Sequence, residues 1–327
     1  MGSIRNSENR FIVILYGLSF LSLLFGLIIN SISYLEIESS IIIIIFLILI
    51  FFIEKTLVRS RIEKVFIYFL FSFYILLSSI SSIYFNLLGN DVFNIPDAGN
   101  FYRWSAIHDW VGEYSFLDTL DSESRNFTEG GLSIYVWRFI YDFLHSLGFQ
   151  KDHYIGILVN NLLMALSGVF FLKIVRHIYD NNFIKSKQFI ILYSLAPLYW
   201  LYASIHIRDA FILFFISILT YVWVRAIKKN NYIWYTFALS TSLIMQFFFT
   251  YLRTEYILLP AMFISGAILA KVLSGSIYRL VTLSNGITAL ITITLFVTTT
   301  IFFYDTIFDT ILLNYNNYLS VVATTAS

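Results

Sequence analysis

The sequence FIVILYGLSFLSLLFGLII, residues 11–29, decides the fold class. It contains no charged side chain, and at 1.5 Å per residue an α-helix of this length crosses about 30 Å of hydrocarbon. A cleaved signal peptide is the alternative interpretation. It is disfavoured because the run is long for the apolar part of a signal peptide and no small-x-small cleavage site follows. The run therefore predicts the first span of an integral membrane protein.

Composition predicts the same class for the whole chain. Of its 327 residues, 58% are hydrophobic and 13% are charged, and the mean hydropathy is +0.77, which is typical of polytopic membrane proteins. The net charge of +1 disfavours nucleic-acid binding, which needs a basic surface. The absence of cysteine excludes disulfides, thiol nucleophiles and cysteine-ligated metals. We therefore expect one transmembrane domain over residues 1–327, with the lipid bilayer as a partner and no nucleic acid.

Further apolar runs predict an all-α polytopic protein of about nine transmembrane helices. They cover residues 41–53, 65–88, 154–174, 188–207, 210–224, 233–251, 257–273 and 286–304. Pro197 should kink the fifth span because proline removes a backbone hydrogen bond. Pro260 lies near the start of the eighth span, where proline is tolerated.

The distribution of charge predicts the orientation. With the N-terminus in the cytoplasm, the cytoplasmic segments contain fifteen of the 21 basic residues and only four of the 20 acids. This bias follows the positive-inside rule. It places residues 89–153 on the outer face, together with the short connections at 208–209 and 253–255. We expect a bacterial inner or plasma membrane.

Residues 89–153 form a long outer insert within the transmembrane domain, with ten acids against four bases. Most of these carboxylates are expected to keep the segment solvated. Aromatic residues interleave with them, which suits a folded element lying against lipid headgroups. One predicted helix begins near Asp97 and puts Phe101, Trp104 and His108 on the same face.

A second helix is predicted over residues 132–147 of the insert. Its polar side contains Arg138, Asp142 and His145, while Trp137 and Tyr141 lie mostly on the other side. This separation is typical of a helix that lies in the membrane plane.

Asp97 has two compatible interpretations. It can accept a backbone N–H as a helix N-cap, or it can act as a general base at the membrane surface. Asp91 is a second acid or a boundary residue, and His108 beside Asp109 could titrate near neutral pH. No cofactor or metal is predicted, and a divalent ion held by Asp91 and Asp97 is left as an alternative.

Two short connections place charge next to apolar spans. Arg208 and Asp209 join the fifth and sixth spans, and Arg253 and Glu255 join the seventh and eighth. Each set could be a self-neutralising pair or an arginine that reaches lipid phosphate. Alternatively, Arg208 and Arg253 bind the phosphate of a lipid-linked substrate, since the guanidinium group donates two parallel hydrogen bonds.

The run Pro96-Asp97-Ala98-Gly99-Asn100-Phe101-Tyr102, the helix after it and the later Arg208-Asp209 pair together resemble the C-type membrane glycosyltransferases. These enzymes use polyprenyl-phosphate-linked sugars. Their Asp-Ala-x-x-Tyr run matches here with the aromatic residue slightly shifted, so the resemblance implies that Asp97 is the catalytic base. Residues 204–209 also resemble the Ser-x-x-x-Arg segment of O-antigen and exopolysaccharide polymerases, which bind polyprenyl diphosphate through outer arginines. In the transferase family the loop usually follows the first span, whereas two further helices precede it here.

We therefore expect glycosyl transfer from a polyprenyl-(di)phosphate-linked sugar to an acceptor hydroxyl at the outer face, in glycan or cell-surface polysaccharide assembly. Asp97 is the expected base, and Asp91 and His108 are expected to assist it. Arg208 and Arg253 would bind the phosphate, with Asp209, Glu255 and Tyr102 in supporting positions. The alternatives are a polysaccharide-repeat polymerase, a lipid or solute transporter, and a non-catalytic membrane scaffold. The near absence of charge in the middle of the predicted spans disfavours the transporter.

Overall fold

The computed structural model describes residues 2–34, 37–87, 96–107, 131–253, 256 and 258–273. Every regular element in this part of the chain is helical. The helices are α1 (Gly2–Tyr34), α2 (Ile37–Leu57), α3 (Arg61–Leu87), α4 (Pro96–Tyr102), α5 (Gly131–Ser146), α6 (His153–Ile178), α7 (Phe183–Leu195), α8 (Pro197–Ser204), α9 (Asp209–Lys229), α10 (Tyr232–Leu252) and α11 (Leu259–Leu273). The prediction of an all-α protein is confirmed for the described residues.

Six helices in the described part of the chain are long and apolar enough to cross a membrane: α1, α2, α3, α6, α9 and α10. They coincide with the predicted first, second, third, fourth, sixth and seventh spans. The predicted ninth span, residues 286–304, lies outside the described residues. The predicted eighth span corresponds to α11, whose described length is 15 residues and which has Pro260 at its second position.

The predicted fifth span is two helices instead of one kinked helix. Helix α7 ends at Leu195, Ala196 is extended, and Pro197 is the first residue of α8. Proline fits this position because the first N–H of a helix has no partner within the helix. The indole nitrogen of Trp200 donates to the Ser194 carbonyl at 2.6 Å and so provides a hydrogen bond near the break.

The described residues fall into two compact units, which divide between Tyr221 and Val222 within α9. In the first unit, α3 packs against α1 and α6. Small residues line the contact between α1 and α3: Ser19 Oγ lies 3.2 Å from Ser72 Oγ, and the Ser79 hydroxyl donates to the Gly26 carbonyl at 3.4 Å. Such residues let membrane helices approach closely. In the second unit, α10 packs against α11.

The predicted insert contains two described helices. Helix α5 confirms the predicted amphipathic helix, with Ser133, Ile134, Trp137, Tyr141 and Leu144 buried. Helix α4 begins one residue before Asp97 and is followed by a π-helical turn, Arg103–Ile107. Because a π-turn contains more residues than an α-turn, the single α-helical face predicted from Asp97 through residue 108 does not continue past Tyr102.

Candidate functional site

Arg208 lies beside the helix that contains Asp97. The central carbon of its guanidinium group is 5.8 Å from the centroid of the Phe101 ring, close enough for a cation–π interaction. Phe101 follows Asp97 by four residues, which is about one turn of α4. The structure therefore brings Arg208 and α4 together, although the two are more than a hundred residues apart in the sequence.

The other predicted site residues are placed as follows. Asp97 is the second residue of α4, after Pro96. Asp209 is the first residue of α9, where a negative charge interacts favourably with the helix dipole. Arg253 is the C-cap of α10, and its guanidinium carbon lies 6.0 Å from the Tyr256 ring centroid. The predictions for Asp91, His108 and Glu255 lie outside the described residues.

Tyr102 has a structural role. Its hydroxyl donates to the Lys151 carbonyl at 2.7 Å, which ties the end of α4 to the segment before α6. Its ring packs against Tyr141 and His153, with centroids 6.1 and 6.0 Å apart. Burial raises the pKa of the Tyr102 phenol, and the negative charge of Asp152 raises it further. The hydroxyl therefore stays protonated near neutral pH and available as a donor.

His206 is the residue that the sequence reasoning did not select. Its side chain is 2% exposed, and its ring lies 4.0 Å from the ring of Trp137, centroid to centroid. Neither ring nitrogen has a hydrogen-bond partner among the described residues. Burial lowers the pKa of His206 to about 3, with a smaller contribution from nearby His153. The imidazole is therefore neutral at physiological pH.

We call His206 together with Tyr102, Trp137, Tyr141 and His153 the histidine cluster. Tyr102, Trp137 and Tyr141 each have ring centroids within 6.4 Å of His206. The cluster joins the chain before α9 to helices α4 and α5 and to the start of α6. The sequence signals were weak: a histidine between two isoleucines in a short connection, and a glycine and two asparagines in the apolar sequence of α6.

The first turn of α6 is closed by Tyr141 of the histidine cluster and by Asp152. Tyr141 Oη accepts from the Gly156 N–H at 3.2 Å. Asp152 is the N-cap, accepting from the Tyr154 N–H at 3.2 Å and lying 2.8 Å from His153 Nδ1. Burial opposes ionisation of Asp152, but the hydrogen bonds from His153 and the backbone outweigh this effect, so the pKa of Asp152 is below its ordinary value. The ionised carboxylate of Asp152 therefore caps the N-terminus of α6.

Asp142 illustrates the expected solvating role of the insert's acids. It is exposed on α5, and its carboxylate lies 2.6 Å from Lys151 Nζ and 3.5 Å from Arg138 Nε. Ion pairs of this kind contribute little to stability. Among the described residues, no group of three His, Asp or Glu side chains is placed to hold a metal ion.

Comparison with known proteins adds no relative. No family model, no curated protein and no solved structure matches the chain. The geometry around Arg208 and α4 is therefore the basis of the proposed function.

Proposed function

We propose that the chain transfers a sugar from a polyprenyl-(di)phosphate carrier to an acceptor hydroxyl. The observation that supports this proposal best is the contact between Arg208 and Phe101, which puts a permanent cation beside the helix that contains Asp97. A base and an anion-binding group on neighbouring elements are what this reaction requires.

In the proposed reaction the acceptor oxygen attacks C1 of the donor sugar. The new bond joins that oxygen to C1, and the bond from C1 to the phosphate oxygen breaks. Asp97 takes the acceptor proton, while the leaving phosphate takes the electron pair of the broken bond. Asp91 and His108 assist through substrate hydroxyls.

Arg208 stabilises the negative charge that develops on the leaving phosphate. It is half-buried, so its charge is less screened by water than that of a fully exposed arginine. Its position against an aromatic ring also limits the motion of the guanidinium group. Arg253 is the second proposed phosphate ligand, and Asp209 and Glu255 are proposed to orient these two arginines.

The proposed membrane arrangement has about nine spans and a cytoplasmic N-terminus. The insert that contains α4 and α5 then lies on the outer face of a bacterial inner or plasma membrane, where a lipid-linked donor is accessible from the outer leaflet. The charge bias of the sequence supports this arrangement. A product of this reaction would enter a glycan or cell-surface polysaccharide.

The test is a transfer assay on the full chain in lipid nanodiscs. A panel of undecaprenyl-phosphate- and undecaprenyl-diphosphate-linked sugars is supplied with acceptor glycans, and released carrier and glycosylated acceptor are measured by mass spectrometry. We expect Asp97→Asn to lower the rate by about 100-fold or more, because general-base catalysis contributes at least that much. We expect the combined change Arg208→Ala and Arg253→Ala to lower it by a similar factor.

Asp142→Asn is the matched control, since Asp142 is an exposed acid of the same insert. It should transfer sugar at the wild-type rate. Full activity in Asp97→Asn would exclude the proposed base. Full activity in the double arginine variant would exclude the proposed phosphate ligands, and no transfer by the wild type from any donor of the panel would overturn the function.

A further inference from the structure

The connection between α8 and α9 is hydrogen-bonded to the buried side chain of Asn160. The amide nitrogen of Asn160 donates to the carbonyls of Ile205 and Ile207, at 2.7 and 2.9 Å. An amide NH₂ group has two hydrogens, so this side chain uses its full donor capacity on the connection. The Ile207 N–H also donates to the Ile205 carbonyl at 3.0 Å, which closes a tight turn around His206.

The side chain of His206, at the centre of this turn, is itself closely packed. Its ring fills the space above Gly156 in α6, and a Cβ atom added at Gly156 would overlap the ring. The ring also contacts Trp137, which is fully buried. The turn is therefore fixed by hydrogen bonds at its carbonyls and by packing at its centre.

Arg208 follows this turn directly. Its ring partner Phe101 lies 5.6 Å from Trp137, so α4 and the turn are packed against the same indole. Asn160 has no exposed surface and His206 has almost none. Neither side chain can contact a substrate. Both hold the backbone of the turn that precedes Arg208.

We propose that Asn160 and His206 are positioning residues, which hold the 205–208 connection so that Arg208 lies beside α4. The role of Arg208 as a phosphate ligand rests on the proposed function, whereas the fixing of the connection does not. Asn160 is the more informative residue, because its neighbour Asn161 offers a matched control. Asn161 is equally buried in the same helix, but its amide nitrogen donates to Ser78 Oγ at 3.3 Å, away from the connection.

The first experiment needs no ligand. Hydrogen–deuterium exchange of the full chain in nanodiscs is followed by mass spectrometry for peptides covering residues 204–210. We expect Asn160→Ala to raise the exchange rate of these amides by about tenfold or more, because two hydrogen bonds are lost. Asn161→Ala should leave them at the wild-type rate. Equal rates in the two variants would overturn the positioning role.

The second experiment measures binding of undecaprenyl diphosphate in nanodiscs of neutral phosphatidylcholine. We expect Asn160→Ala to weaken binding about tenfold when Arg208 is present and to have no further effect in an Arg208→Ala background. Asn161→Ala should bind as the wild type does. An equal loss with and without Arg208 would show a general structural effect and overturn the inference.

Two further outcomes separate the inference from the proposed function. If the wild type does not bind undecaprenyl diphosphate, the proposed function fails, while the exchange rates still decide whether Asn160 fixes the connection. If Asn160→Ala does not fold, Asn160→Ser replaces it, since a hydroxyl can donate one of the two bonds. The serine variant should then give an intermediate exchange rate, and a wild-type rate would overturn the proposal.

Discussion

Among single residues, the packing of α4, α5 and the start of α6 depends on a close fit around uncharged polar side chains such as His206. Gly156 and His206 fit closely, because the histidine ring occupies the volume that any larger residue at 156 would need. Both residues are buried, which disfavours a larger side chain at 156 and a charge on the imidazole of His206.

Gly156→Ala should destabilise the protein. The added methyl group must displace the buried His206 ring, and such overpacking costs about 1–3 kcal/mol. Gly17→Ala in α1 is the control, since nothing lies within 4 Å of a Cβ atom there. That variant should be neutral or slightly more stable, because alanine favours a helix by up to about 1 kcal/mol over glycine. Thermal unfolding in detergent measures both, and an equal effect of the two changes would contradict the packing.

His206 should make the protein sensitive to acid. Its pKa is about 3 in the folded chain against an ordinary value of 6.5, so only the unfolded chain takes up a proton between these values. The contribution of the neutral His206 to the free energy of unfolding is therefore fully present above pH 6.5. It falls as the pH drops towards 3, by at most about 1.4 kcal/mol per pH unit. Asp152 has a lowered pKa, so the stabilising contribution of its ionised carboxylate is also lost as the pH falls.

The contribution of His206 is isolated by substitution. The His206→Gln variant should show a flatter loss of stability between pH 6.5 and pH 4 than the wild type, while the exposed control His145→Gln should follow the wild type. Unfolding by denaturant at a series of pH values gives the slopes. Parallel curves for the wild type and His206→Gln would mean that the buried imidazole does not titrate in this way.

At the scale of elements, α5 has three distinct faces. One is buried against α6 and the π-helical turn after α4, and one contains the exposed polar residues around Asp142. The third is apolar and exposed: Phe139 and Phe143 have exposed fractions of 73% and 53%, and Leu147 continues their line. A helix of this kind fits the boundary between headgroups and acyl chains, where the exposed apolar face contacts acyl chains and the polar face contacts headgroups and water.

This position can be measured with single nitroxide labels, since the chain has no cysteine of its own. Labels at Phe139→Cys and Phe143→Cys in liposomes should be more accessible to oxygen than to a water-soluble nickel complex. The label at His145→Cys, on the polar side, should show the opposite preference, because it meets water. If all three labels favour the nickel complex, the third face does not contact lipid.

At the scale of the whole molecule, the sequence predicted the helical spans well because each is a continuous apolar run, and the bilayer imposes its length. Six of the described helices coincide with predicted spans. The kink at Pro197 was predicted, but the complete break was not, since it depends on how the following helix starts and on where Trp200 donates its hydrogen bond.

The candidate site was predicted less completely. Arg208 and Asp97 were selected because charged residues at the ends of apolar spans are candidates for function. Only the structure shows that Arg208 contacts Phe101 in the helix that contains Asp97. His206 and Asn160 could not be selected, because their importance comes from long-range packing that no local pattern records. Periodicity indicates which face of α5 is buried, but it does not show that Trp137 meets a histidine from a distant connection.

The break at Ala196 also bears on how the chain is inserted during synthesis. Helices α7 and α8 contain 13 and 8 residues, and each is shorter than the roughly 20 residues that cross a bilayer. Both pack against α6, which the ribosome delivers first. We infer that α7 and α8 are inserted together as one segment against α6, which is already synthesised when they emerge from the ribosome.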